Sequence, residues 1–366
     1  MDCVYSYSKI SLPQLSKFSS FNLKSSTLFK SQQKKNPLTL MVSCRNNNNN
    51  NNNYRMFNGL TAPLVPTTET GRLLSVFLQN DKPLFNGFVE KELKRLDYMK
   101  NDALLRSVFS LGTDEAILHR RISEMIKLEC RNVVEDIMYM FIVNKFSLIG
   151  VHMVPKLSNC MCNGRLEIFP RRDWELESIH SVEVLEMVKE IGWEDMNKSN
   201  VKDSWGLTQV QKDQIRHVYG ASILYGYFFK STSLRYHLEQ SFDKTYSNLS
   251  FPRSWLLKQK GVPLSDTGST SVGPVSLIKG KKYDNFRSYV TNLDNEIMIM
   301  CSKPKFKEAK SLIEKHCSAL FGNESNEEVS TSFASLKRFV LEAVAFGSFL
   351  WDAEDHIRKL YQLEEF

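Results

Sequence analysis

Two short sequences decide the fold: Ala-Ser-Ile-Leu-Tyr-Gly-Tyr-Phe-Phe at 221–229 and Glu-Ala-Val-Ala-Phe-Gly-Ser-Phe-Leu at 342–350. Each places one glycine, Gly226 or Gly347, among the large side chains of an apolar helix. Glycine inside a helix costs about 1 kcal/mol relative to alanine, and a close helix–helix crossing is the natural compensation for that cost. We therefore predict that another helix passes close to the backbone at each glycine.

The two sequences also suggest an internal repeat. An amphipathic helix that begins at a proline, Pro83 or Pro304, stands in each half of the chain. The prolines are 221 residues apart and the glycines 121 residues apart, so the first half carries about 100 additional residues. Chance similarity between two apolar helices is the alternative. The prediction is a mainly α-helical fold of two related units, 69–242 with an insertion at 99–200 and 283–366, joined by a linker at 243–282.

Helical periodicity covers most of this region. Pro83 suits the first turn of a helix, and Thr113 is expected to cap the next one. In that long helix Ile122 and Met125 begin a wide apolar stripe. Further helices are predicted from Ser181 to Gly192, from the capping-box pattern at 208–211 to about Lys230, from about Asp284 to Met300, from Pro304 to Gly322, and from Ser332 to about Gln362.

One part of the insertion has a different character. Val151 to Val154 and Arg165 to Phe169 are short apolar runs, and Asn163-Gly164 is a dipeptide typical of tight turns. The sequence therefore predicts a short β-hairpin here.

The first 68 residues are not expected to belong to the fold. Residues 1–44 hold ten serines, six lysines and one acidic residue, a composition typical of an organelle transit peptide. The low arginine content favours a plastid, and a disordered cytosolic tail is the alternative. Residues 45–68 contain eight consecutive asparagines and are predicted to be a disordered tether. Loss of residues 1–44 would reduce the net charge from +7 to about +2, so most of the basicity belongs to this segment.

Four sequences resemble a known family: 163–168, 173–179, 219–228 and 340–352, which read NGRLEI, DWELESI, YGASILYGYF and VLEAVAFGSFLWD. Together they resemble the plant family of chloroplastic UV-B-induced proteins, across nearly all of residues 69–361. The resemblance implies a plastid location and stress-responsive expression. It implies no established reaction and no catalytic residues.

The reactive side chains of the sequence form few recognisable patterns. Cys160 and Cys162 are a close pair of cysteines, interpreted either as a redox dithiol or as two ordinary loop cysteines. Glu177 and His180 have the Glu-x-x-His spacing of di-iron bundles, but no second copy of the motif is present. Two acid-containing sets are interpreted as helical ion pairs: Asp213 with His217, and Glu129, Glu135 and Asp136 near Arg131.

Nucleotide and nucleic-acid motifs are also weak. The phosphate-loop, dinucleotide-binding and nucleophile-elbow patterns are absent from the sequence, and the glycine- and serine-rich stretch at 267–273 is interpreted as linker. Basic residues cluster in two places, interpreted as a solvated helix face or as a nucleic-acid footprint. The clusters are Lys279, Lys281, Lys282 and Arg287 with Tyr283, and Lys303, Lys305, Lys307 and Lys310, the second interrupted by Glu308.

The sequence therefore predicts a plastid stromal protein that is not an enzyme and acts as a stress-responsive regulatory or interaction module. Other plastid proteins are the expected partners. No catalytic, cofactor-binding or metal-binding residues are assigned, and neither a membrane span nor nucleic-acid binding is expected. Two alternatives remain: an enzyme or metabolite binder with a pocket between the helical units, and weak association with nucleic acid. The oligomeric state is open.

Overall fold

Helices account for most of the described residues, which confirms the mainly α fold class. The computed structural model describes residues 62–162, 164–168, 172–198, 207–248, 285–322 and 327–363. The helices are α1 Glu69–Asn80, α2 Lys82–Phe109, α3 Ala116–Leu148, α4 Asp173–Glu177, α5 Val182–Lys198, α6 Lys212–Asn248, α7 Phe286–Thr291, α8 Asn295–Ser302, α9 Lys307–Phe321 and α10 Phe333–Arg358. The strands are β1 Met161–Cys162, β2 Arg165–Leu166, β3 Leu207–Gln211 and β4 Glu328–Ser332, and a 3-10 turn spans Leu157–Cys160. The predicted transit peptide at 1–44 lies outside these residues.

The two glycines lie where α6 and α10 cross. A Cβ atom added to Gly226 would lie 1.9 Å from the carbonyl oxygen of Val344, and one added to Gly347 would lie 1.9 Å from the carbonyl oxygen of Ile223. Only glycine permits backbones to approach this closely. The predicted helix crossing at each glycine is confirmed, and each helix is the other's partner.

The contact between α6 and α10 is reciprocal, and the strands that precede the two helices are related by the same offset in sequence. Val344 and Ile223 each stand three residues before the glycine of their own helix. Strand β3 runs directly into α6 and β4 into α10, and the two strands pair antiparallel with Gln209 opposite Ser330. These two residues are 121 apart, as the glycines are. The described residues thus contain two similar strand–helix units, while internal duplication and the division of the chain at 69–242 and 283–366 stay predictions.

The strands form one small sheet in the order β1-β2-β4-β3. Strands β1 and β2 are antiparallel neighbours, and Gly164 between them has a φ of 74°, so the predicted hairpin is confirmed. Its first strand lies at β1 and not at 151–154, where the prediction is wrong. Residues 151–154 are not in a strand, and the Val154 amide donates to the Glu342 carboxylate at 3.0 Å.

Two helix boundaries differ from the sequence prediction for clear reasons. Residues 208–211, expected to be a capping box, belong to β3, since their amide and carbonyl groups pair with β4. The helix expected from 284 to 300 is divided into α7 and α8 by a break at 292–294, where the Asn292 amide closes the last turn of α7.

Other boundaries are extended or confirmed. Helix α6 continues to Asn248, into the first residues of the predicted linker, and α5 continues through Gly192. Helix α3 begins at Ala116, three residues beyond the expected cap at Thr113. Ser332 does cap α10, since its hydroxyl accepts from the Ser335 amide, and Gly322 does end α9 with a φ of 70°.

A continuous apolar core joins the early and late parts of the chain. Its buried side chains extend from Leu74 in α1 to Leu363 after α10, and include residues of α2, α3, α6 and α9. The core therefore depends on contacts between residues far apart in sequence.

Residues 62–68, the last part of the predicted tether, are fixed to this core. A single oxygen of Asp136, Oδ2, accepts the amides of Thr67 and Thr68 at 2.9 and 2.7 Å, and both of their hydroxyl groups. The Leu64 amide donates to the Tyr139 hydroxyl at 3.3 Å. The interpretation of Asp136 as part of a helical ion pair is wrong, because its carboxylate anchors the start of α1. Residues 45–61 lie outside the described residues.

Candidate functional site

A cluster of polar side chains lies buried beside the α6–α10 crossing. It consists of Tyr219 on α6, His316 on α9, and Arg338 and Glu342 one turn apart on α10, all at most 1% exposed. The Tyr219 hydroxyl lies 3.0 Å from His316 Nε2 and 3.4 Å from Glu342 Oε1. Arg338 Nη1 lies 2.8 Å from Glu342 Oε2.

Burial sets the protonation of this cluster. It lowers the pKa of His316 to about 3, so the imidazole is neutral, and it raises the pKa of Tyr219. Burial also raises the pKa of Glu342, and the Arg338 guanidinium and the Val154 amide oppose that rise. The second amino group of Arg338 donates to the His152 carbonyl oxygen at 2.7 Å.

The cluster joins distant parts of the chain and is closed to solvent. Through it α10 holds the chain at 152–154, α6 and α9 together. A tyrosine, a histidine and a carboxylate in contact are groups that proton transfer uses, but at 1% exposure or less no substrate reaches them in this structure. We therefore assign these contacts to the stability of the fold.

A second buried pair lies further along the same two helices. The Tyr227 hydroxyl donates to Glu354 Oε2 at 2.5 Å, and the Phe306 amide lies 3.4 Å from Glu354 Oε1. Burial raises the pKa of Glu354 to about 7, against the lowering effect of these hydrogen bonds. This carboxyl group therefore titrates near neutral pH.

The cysteine candidates are placed at the start of the hairpin. Cys160 ends the 3-10 turn and Cys162 lies in β1. Burial raises the pKa of Cys160 to about 11. Because the thiolate is the reactive form, Cys160 is a weak nucleophile at neutral pH.

The histidine candidates stay apart from each other. Glu177 forms an ion pair with Lys337 at 2.8 Å, while burial lowers the pKa of His180 to about 4. Asp213 and His217 form an exposed pair at 3.3 Å, as interpreted from their spacing. Within the described ranges no group of three or more histidine, cysteine or acidic residues is arranged to hold a metal ion.

The acidic and basic candidates form ion pairs or lie on exposed helix faces, apart from the buried Glu308. Glu135 pairs with Arg131 of the same helix at 3.4 Å, as the helical ion-pair interpretation requires. Its carboxylate also pairs with Lys315 of α9. Arg287 pairs with Glu190 at 2.6 Å. Lys303, Lys305 and Lys310 are exposed, and Glu308 between them is buried. The stretch at 267–273 and the basic residues at 279–282 lie outside the described residues.

An open cleft of about 660 Å³ separates α2 from the end of the chain. Its walls carry Asp97 and Asn101 of α2, Phe306, and residues 358–363. The Lys100 ammonium group donates to the Gln362 carbonyl oxygen at 2.8 Å beside this cleft. The cleft lies between the two predicted helical units, but it is shallow, and its lining lacks histidine and cysteine.

The most unusual feature of the described surface is the end of the α2–α3 hairpin. Eleven large apolar side chains are exposed here, and we call them the apolar hairpin surface: Tyr98, Leu104, Leu105, Val108, Phe109, Leu111, Ile117, Leu118, Ile122, Met125 and Leu128. Phe109 is 81% exposed and Ile117 is 84% exposed. The apolar stripe that begins at Ile122 and Met125 is therefore exposed at this end, and the same helix becomes buried from Cys130 onward.

Small and polar residues occupy the seam inside this hairpin. Ala103 of α2 and Ser110, which follows that helix, are buried, and Ala116, His119 and Ser123 of α3 are half-buried. The large apolar side chains therefore point away from the contact between the two helices. This is the reverse of the usual amphipathic pattern, in which the large residues fill the seam.

The apolar hairpin surface consists of two stripes, one along each helix. Its side chains are 41–84% exposed, and each stripe presents roughly 500 Å². The largest apolar patch of a typical monomer measures about 300–600 Å² and is often functional. The geometry therefore favours a binding surface for another macromolecule.

Sequence reasoning missed both features of this site. The buried cluster could have been found from Arg338 and Glu342, two charged residues at helical spacing inside an apolar helix. The apolar hairpin surface carries the same residue types as a core helix, so periodicity alone could not show that the other described residues leave it exposed.

The comparisons with known proteins give the class of protein first. The family described as protein of unknown function DUF760 matches residues 117–242, from α3 through most of α6. The chain is also 32% identical, over 332 residues, to the chloroplastic UV-B-induced protein of Arabidopsis thaliana, across 82% of this chain and 77% of that protein. The chain therefore belongs to the family of that UV-B-induced protein, and the resemblance is confirmed. No solved protein structure shows a match.

The helices also bear on the relation to membranes. No helix in the described part of the chain is both long enough and apolar enough to span a bilayer.

Proposed function

We propose that this protein acts in the plastid stroma as a non-enzymatic interaction module that binds other macromolecules through the apolar hairpin surface. The plastid location rests on the composition of residues 1–44 and on the relative's name, which calls that protein chloroplastic. The same name associates the relative with UV-B induction, and we extend a stress-responsive role to this chain.

The exposed apolar side chains of the hairpin are the observation that carries the proposal. Their exposure costs solubility unless another molecule covers them. The buried cluster at Tyr219 and Glu342, by contrast, has no opening to solvent through which it could act on a substrate. Binding through α2 and α3 is therefore the activity that the geometry supports best.

Photo-crosslinking from this surface tests the proposal. A photo-reactive residue placed at Leu105 in the purified full chain, incubated with plastid extract, is expected to form adducts with other polypeptides or with a second copy. The matched control places the same group at Lys91, an exposed residue of the same helix that lies outside the surface. Identical adducts from both positions, or none from Leu105, would reject the proposal.

A further inference from the structure

The open cleft between α2 and residues 358–363 has no part in the proposed function. Its volume of about 660 Å³ lies within the roughly 300–1,000 Å³ of sites that bind small molecules. Its two walls carry different polar side chains. Asp97 and Asn101 belong to the α2 wall, and Arg358 and Lys359 belong to the wall at the end of α10. A ligand of this cleft therefore needs two kinds of polar group.

The α10 wall has positive charge in excess. Arg358 Nη2 and Lys359 Nζ both bind the carboxylate of Asp355, at 2.6 and 2.8 Å, so one negative charge faces two positive charges. Among the described residues, Arg358 uses only Nη2 in a hydrogen bond, which leaves Nε and Nη1 as donors for a ligand. A guanidinium group binds phosphate oxygens in pairs, and a phosphate dianion matches this excess of charge.

More basic residues stand beside the same cleft. Phe306 lines it, and Lys303 and Lys305, which come shortly before Phe306 in the chain, are exposed. On the α2 side, the Lys100 ammonium group lies 4.9 Å from the centre of the Tyr361 ring. These charges raise the local electrostatic potential, which attracts anions. The basic cluster that begins at Lys303 therefore lies where it can attract a small anion.

The α2 wall suits hydroxyl groups instead of an anion. Asp97 Oδ2 accepts a hydrogen bond from Asn101 Nδ2 at 3.0 Å, and Asp97 Oδ1 lies 3.4 Å from the Gln362 amide nitrogen. Each carboxylate oxygen has a second lone pair, and the Asn101 carbonyl oxygen is a further acceptor. Sugar hydroxyl groups donate to such acceptors, while a phosphate group is repelled by Asp97. The two walls together therefore fix which end of a ligand lies on which side.

The openness of the cleft agrees with this chemistry, because a hydrophilic ligand can keep part of its hydration shell there. Going beyond the proposed function, we propose that the cleft binds a small sugar phosphate. The phosphate group contacts Arg358 and Lys359, and the hydroxyl groups contact Asp97 and Asn101. Such a ligand joins α2 to the end of α10, so its binding is expected to stabilise the folded chain.

Isothermal titration calorimetry of the purified full chain tests the site, with glucose 6-phosphate and ribose 5-phosphate as ligands. We expect saturable binding at one site per chain for at least one of them. Glucose, which lacks the phosphate, and inorganic phosphate, which lacks the hydroxyl groups, should each bind at least about 10-fold more weakly. Absence of binding by both sugar phosphates would overturn the proposal.

Two variants locate the site. Arg358→Gln/Lys359→Gln removes both charges of the α10 wall, and it is expected to weaken sugar phosphate binding by at least about 10-fold with unchanged helical circular dichroism. The matched control Arg120→Gln/Arg121→Gln removes two exposed charges of α3 and should bind as the wild type does. Equal losses in the two variants, or unchanged binding in the first, would contradict a site in the cleft. The crosslinks from Leu105 do not depend on these residues, so either result leaves the proposed function to its own test.

Discussion

At the scale of single residues, the two crossing glycines are the positions that tolerate least change. The atoms that a Cβ would meet at Gly226 belong to the backbone at Val344, which cannot turn away as a side chain can. The helices must separate to admit even one methyl group, and the packing between them is then lost over several turns. We therefore expect substitution here to cost far more than helix propensity alone suggests.

The prediction is that Gly226→Ala lowers the free energy of unfolding by more than about 3 kcal/mol, because overpacking against a rigid backbone forces the helices apart. The matched control is Gly87→Ala, at an exposed position of α2 with open space around it. There alanine is expected to stabilise by about 0.5–1 kcal/mol. Urea unfolding of both variants measures the difference, and similar effects at the two sites would contradict the close crossing.

Glu354 makes the stability of the fold depend on pH. Its pKa is about 7 in the folded protein and lies near 4.3 in an unfolded chain. The folded state therefore binds more protons between these values, so this group's contribution to stability falls as pH rises from about 4 to 7 and is constant above that.

The variant Glu354→Gln removes this titration and is expected to be more stable than wild type at pH 8, by up to about 4 kcal/mol. The gain over wild type should shrink as pH falls toward 5. Comparison of the two proteins at each pH cancels the opposite effect of His316 and His180, whose lowered pKa values reduce stability in acid. A gain that is independent of pH, measured by urea unfolding, would show that Glu354 does not titrate in this range.

At the scale of elements, α1 is held by a side chain of another helix. Asp136 on α3 accepts hydrogen bonds from both amides that precede α1, while Thr68 accepts from the Gly71 amide as the helix cap. Gly71 itself packs against Asp136, since an added Cβ would lie 2.9 Å from its side chain. The direction in which the chain enters the fold is thus set by one carboxylate.

We expect Asp136→Asn to weaken this anchor by about 2 kcal/mol, because hydrogen bonds to a charged acceptor are stronger than those to a neutral one. Amide hydrogen exchange should then become faster through residues 67–78 and stay unchanged in α10. The variant Glu129→Gln, at an exposed position of the same helix, serves as control. Unchanged exchange in α1 would mean that its apolar contacts alone hold it in place.

Elements also show how far local sequence patterns reach. The start of α2 near Pro83, the cap at Ser332 and the end of α9 at Gly322 were predictable, because each depends on residues within one turn. Strand β3 was not, because residues 208–211 satisfy a capping pattern equally well. These residues form a strand because they pair with β4, which lies more than a hundred residues further along the chain.

At the scale of the whole molecule, the sequence predicted that each glycine meets a helix but not which helix. The mainly α class followed from periodicity over long segments. The union of α6, α9 and α10 around Tyr219 and Glu342 did not follow, since contacts between distant segments leave no periodic signal. The exposure of the apolar hairpin surface was not predictable either, because an exposed apolar stripe and a buried one have the same residue types.

The separation of the two crossing helices also determines the order in which the protein can fold. The long stretch of chain between α6 and α10 must form a closed loop before β4 and α10 reach their partners. Folding is therefore slow compared with that of a helical bundle whose contacts are local. At a synthesis rate of about 5–20 residues per second, Gly226 is added roughly 6–24 s before Gly347, which follows it by 121 residues. During that interval the apolar face around Gly226 has no partner. In a nascent chain this face is therefore exposed to association with other apolar surfaces until α10 has been made.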